Sequence, residues 1–95
     1  MEFNAPAALD KYVTIAKAMN AYREGMTREE AATAAVDAVR QLSIRVGIPQ
    51  HLAELGIKET DLPRLAKAAF ADVCTPGNPR DITKEDILEL YKKAF

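Results

Sequence analysis

The sequence predicts an all-α fold, a small helical bundle of about four helices plus a short turn. Three observations predict it. Every periodic stretch repeats its apolar residues at the three-to-four spacing of a helix, and none alternates as a half-buried strand does. Gly and Pro separate these stretches at places where a helix would stop. Two of the stretches begin with a threonine followed three positions later by an acid, as at a capped helix start.

The first helix is expected from about Pro6 to Met19. Asn4 is its candidate cap, and Pro6 is tolerable because first-turn N–H groups have no helical partner. Leu9, Tyr12, Val13 and Ala16 form its stripe, and Gly25 marks a break. Thr27 opens the best-specified helix, with Glu30 completing a capping box. Ala32, Ala35, Val36, Val39, Leu42 and Val46 line one face of it. Gly47 suits the left-handed position past its end, and Pro49 blocks continuation. Residues 50–55 read as a single turn ended by Gly56. A further helix runs from about Thr60 to Val73, with Pro63 in its first turn. Leu62, Leu65, Ala66, Ala69, Phe70 and Val73 are its expected buried stripe. Residues 74–80, Cys-Thr-Pro-Gly-Asn-Pro-Arg, hold two prolines and a Pro-Gly pair and are expected to be non-helical. Thr83 caps the last helix, with Ile82 and Ile87 at the positions of a hydrophobic staple. Ile87, Leu90, Tyr91 and Ala94 point one way.

Residues 1–95 are expected to form a single, partial helical domain. A chain of this length buries only about 60–65% of its unfolded surface, so some apolar surface should seek a partner. The net charge of −1, from 13 basic and 14 acidic residues, leaves no footprint for a phosphate backbone or an anionic membrane. No apolar run approaches the ~20 residues of a membrane span, and the N-terminus lacks signal-peptide regions. One cysteine, Cys74, cannot form an internal disulfide, which suits a reducing cytoplasm.

Catalytic motifs are absent. One histidine and one cysteine exclude a two-histidine or CxxC metal pattern. His51 and Glu54 share a helical face, but that spacing commonly arises from helix geometry alone. The four glycines are isolated, so no phosphate-cradling loop exists. Ser43 reads as a core-edge residue. Cys74 reads first as a small buried residue just past a helix, the usual fate of a free cysteine; the alternative is a reactive thiol or a cleft wall. The rigid, polar stretch after it is open to two readings. It is a functional loop, or a stiff connector in which Asn78 and Arg80 tie down helix ends.

Together these runs resemble the iron-containing alcohol dehydrogenases, the group that includes lactaldehyde reductase and propanediol dehydrogenases. The first run is Val46-Gly47-Ile48-Pro49 with His51-Leu52. The second is Asp61-Leu62-Pro63 with Leu65-Ala66 and Ala68-Ala69. The most specific is the unbroken run from Asp72 to Arg80, leading into Thr83, Glu85-Asp86-Ile87 and Glu89-Leu90-Tyr91. The Asn4-Ala5-Pro6 start is similar to the family's segment after its last metal ligand. The resemblance implies a parent enzyme with an N-terminal α/β domain for NAD or NADP and a helical C-terminal domain. Iron, or zinc, would lie between them on one aspartate and three histidines. It would act as a Lewis acid on the alcohol oxygen while hydride passes to the nicotinamide. All four ligands and the nucleotide glycines would lie upstream of Met1. The chain is thus expected to be the last quarter of such an enzyme, with no catalytic, cofactor or metal residue of its own. It is expected to be inactive alone, and to have the rest of the parent chain as partner. The resemblance puts Cys74 on the wall of the substrate cleft, with Gly77, Asn78, Pro79 and Arg80 supporting the loop.

The alternative is a free-standing helical interaction module, self-associating through the alanine-rich face of the helix from Thr27 to Val46. A helix-turn-helix DNA binder is disfavoured, because no helix gathers Arg and Lys on one face.

Overall fold

A computed structural model describes residues 1–95. It contains four α-helices: α1 Leu9–Ala18, α2 Arg28–Arg45, α3 Leu62–Ala71 and α4 Lys84–Ala94. Four short 3-10 turns complete it, at Glu2–Ala7, Leu52–Leu55, Glu59–Asp61 and Thr75–Gly77, and there is no strand. The chain divides into two compact units, Met1–Ile48 and Pro49–Phe95.

In the first unit α1 packs on α2 through alanine. Ala16, Ala31 and Ala35 are fully buried in one cluster, and Tyr12, Ala32 and Val36 form a second beside it. Side chains this small let helix axes approach at the short end of the usual ~8–10 Å range. The expected stripe therefore starts one residue early, at Ala31. It also stops early: Leu42 is 41% exposed and Val46 64%. Length explains this. Ten residues give α1 about 15 Å and eighteen give α2 about 27 Å, so α1 covers only the first half of its neighbour.

The N-terminal helix departs from its predicted boundary. Pro6 and Asn4 both lie in the 3-10 turn Glu2–Ala7, and α1 begins after a bend at Ala8 (φ −144°, ψ 33°), which takes the cap position expected for Asn4. A helix running straight from Pro6 would carry residues 1–5 away from the core. The bend instead folds them back, so that the Tyr12 hydroxyl donates to the Met1 carbonyl at 2.8 Å. Ala5 and Ala8 then pack on the Tyr12 cluster, and Glu2 pairs with Arg40. The stop of α1 is Asn20, at φ +56°, and not Gly25. The Ala21 amide donates to the Ala16 carbonyl at 2.8 Å and the Asn20 amide to that of Lys17 at 3.1 Å, which is the Schellman pattern.

The end of α2 follows the sequence closely. Gly47 takes φ +79°, the Ile48 amide donates to Ser43 at 2.9 Å and the Gly47 amide to Ile44 at 3.1 Å. Its start is half of what Thr27 and Glu30 suggest. The Thr27 hydroxyl accepts from the Glu30 amide at 3.1 Å, while the return arm of the box is not made.

In the second unit α3 packs against α4, with Leu62, Ala66 and Ile87 buried. Thr60 lies in the 3-10 turn Glu59–Asp61, and the α-helix proper starts at Leu62 with Pro63 in its first turn. At the other end α3 stops at Ala71, two residues short of its predicted limit. Val73 leaves the helix and is 91% exposed; Phe70, also expected inside, is 48% exposed.

The alanine seam makes a clear prediction. Ala35→Leu should overpack the α1–α2 contact and cost about 1–3 kcal/mol, read as a lower urea midpoint. Ala38→Leu, on a half-exposed position of the same helix, should leave the midpoint within about 0.5 kcal/mol.

Candidate functional site

The segment from Asp72 to Arg80 is built by polar side chains that replace helical hydrogen bonds. Asp72 has extended backbone (ψ 135°), and its carboxylate accepts the Cys74 amide at 2.8 Å. This is an Asx turn, the local bond by which aspartate competes with helix, and it explains why α3 ends where it does. The Thr75 hydroxyl then donates back to the Ala69 carbonyl, which also accepts the Asp72 amide at 3.3 Å. Residues Thr75–Gly77 form a single 3-10 turn, closed by the Gly77 amide on Cys74 and the Asn78 amide on Thr75, both at 3.0 Å. The prolines thus exclude an α-helix but admit one tighter turn, with Pro76 near its start. The Asn78 side-chain amide donates to the Arg80 carbonyl.

The loop feeds directly into α4. Thr83 and Asp86 form a complete capping box: the Thr83 amide donates to Asp86 at 2.9 Å and the Asp86 amide to the Thr83 hydroxyl at 3.1 Å. The Thr83 amide and then its hydroxyl hold the Asp86 carboxyl below its ordinary range, and the positive charge of Arg80 adds to this. Arg80 therefore stands electrostatically at the α4 start.

Between loop and helix lies a groove of about 650 Å³. Cys74, Thr75, Gly77, Asn78 and Pro79 line one side, and Ile82, Ile87, Leu90, Tyr91 and Ala94 the other. Cys74 is exposed here, in contrast to the buried cysteine expected from residue type. The Asx turn accounts for the difference: it carries residues 73 and 74 off the helix before they reach the α3–α4 core. Four of the five loop residues singled out in the sequence share this groove, and Arg80 lies outside its lining. Leu90 and Tyr91 were legible only as a helix stripe; nothing in their spacing shows that the stripe faces a groove.

His51 and Glu54 do not assemble a metal centre. The Glu54 carboxylate accepts the His51 amide at 2.7 Å and the Gln50 amide at 2.9 Å, which starts the turn Leu52–Leu55. No group of three or more His, Cys, Asp or Glu side chains is placed to hold a metal ion. No helix is long and apolar enough to cross a membrane. The alanine face of α2 is buried against α1 within its own unit.

A family model described as "Fe-containing alcohol dehydrogenase family, C-terminal" matches residues 1–95. The chain belongs to the iron-containing alcohol dehydrogenase family. Lactaldehyde reductase of Escherichia coli K12 is 52% identical over 95 residues, covering all of this chain and 25% of that protein. The 1,3-propanediol dehydrogenase of Citrobacter freundii is 38% identical over 93 residues, 98% of this chain and 24% of that one. Among solved structures, 1,3-propanediol oxidoreductase superposes with a TM-score of 0.95 at 37% identity, over 99% of this chain and 25% of its own. An alcohol dehydrogenase from Oenococcus oeni gives 0.92 at 33% identity. The chain spans about a quarter of the length of the curated relatives it matches. The all-helical architecture is thus that of the C-terminal segment of this oxidoreductase family.

Two predictions follow from the loop geometry. Asp72→Ala removes the acceptor that ends α3; amide hydrogen exchange at Cys74 should accelerate, with a stability loss of about 1 kcal/mol. For Asp86 the sign is fixed by a depressed native pKa. Its contribution is present above the unfolded value near 3.9 and is lost as pH falls through the lower native value. Wild type should therefore unfold at higher urea than Asp86→Asn at pH 7, and the gap should shrink as pH falls below the unfolded value.

Proposed function

We propose that this chain is the helical cleft wall and scaffold of an iron-dependent, NAD(P)-linked alcohol dehydrogenase. The whole enzyme would transfer hydride between a primary alcohol or diol and the nicotinamide. The observation that carries this reading is the match of the chain, end to end, to the C-terminal family model. Two further facts support it. The relatives at 52% and 38% identity are named for reactions of a hydroxyaldehyde and a diol. The exposed Cys74 borders an uncharged groove.

The metal, iron or zinc, and the NAD or NADP belong in this reading to the rest of the parent chain. The residues present do not fit a metal: Glu54 is engaged with backbone amides, and no cluster of metal-type ligands accompanies His51. No step of the reaction is assigned to this chain's side chains. Its part is shape. Cys74 presents a small wall, Gly77, Asn78, Pro79 and Arg80 hold that wall, and the rest of the parent chain is its partner. The apolar side chains of α2 beyond α1, Leu42 and Val46, supply surface for that partner. The enzyme is assigned to the cytoplasm on the strength of a single, free thiol in this segment.

The purified 95-residue chain should show no NAD- or NADP-linked oxidation of 1,2-propanediol, and no iron retained through gel filtration. The same chain joined to a family-type N-terminal three quarters should show both. Turnover by the short chain alone would overturn the reading.

A further inference from the structure

We draw no further inference here: the strongest candidate, the groove of the first unit between the turn Glu2–Ala7 and α2, where Leu9, Ala32 and Val36 lie beside Glu2, Glu29 and Asp37, carries nothing, because two of its three acids already pair with Arg40 and nothing in the structure shows what covers it.

Discussion

The bond from the Asp72 carboxylate to the Cys74 amide is the constraint on which the second unit's surface depends. A helix continued to Val73 would turn that valine toward the core and bury Cys74 behind it. By taking the amide out of the helical ladder, Asp72 ends α3 at Ala71. Every later feature follows from where the chain then goes. Thr75 reaches back to Ala69, the next turn closes on itself, and Pro79 and Arg80 lead to a helix start that Thr83 and Asp86 lock. The groove exists because two helices that pack through Leu62, Ala66 and Ile87 are joined by a loop too stiff to collapse onto them.

The first unit solves a different problem with the same means. Its contact is made by alanines that bury little area each, so about half the usual hydrophobic gain per residue is available there. The N-terminal turn compensates by closing the open side: Tyr12 lies over Ala32 and Val36 and ties its hydroxyl to Met1. The three ion pairs of this unit are all between exposed side chains and contribute little beyond orientation. What holds this unit is complementarity of small surfaces, which is why its tolerance for volume at Ala16, Ala31 and Ala35 is low.

The parts legible in the sequence are those decided by neighbours in the chain. Gly47 and the Thr83–Asp86 pair act within five residues, and both appear as read. The parts that were not legible depend on partners far away in sequence. Nothing near Leu42 or Val46 says that α1 is too short to cover them. Nothing near Pro6 says that Tyr12 will draw residues 1–5 back through a bend at Ala8. Asn20 and Asp72 are an intermediate case: both act locally, but each competes with helix continuation, and propensity alone does not decide the contest. The loop from Asp72 to Arg80 was legible as irregular and as family-like. That it borders a groove was not, because a stripe on α4 looks the same whether it meets a core or open space.

Four acids of the second unit are engaged along the chain itself. Glu54, Asp61, Asp72 and Asp86 each accept backbone amides at the start of a turn or helix. A carboxylate so used has its lone pairs directed along the chain, and it is not free to gather with others around a metal. The same five bonds mark the irregular segments of the second unit. Acidic residues here serve to terminate and begin helices and turns. The groove beside them is bounded instead by Cys74, by Gly77 and by the apolar side chains of α4, none of which carries a formal charge, so the charges of this unit and its open apolar surface are kept apart.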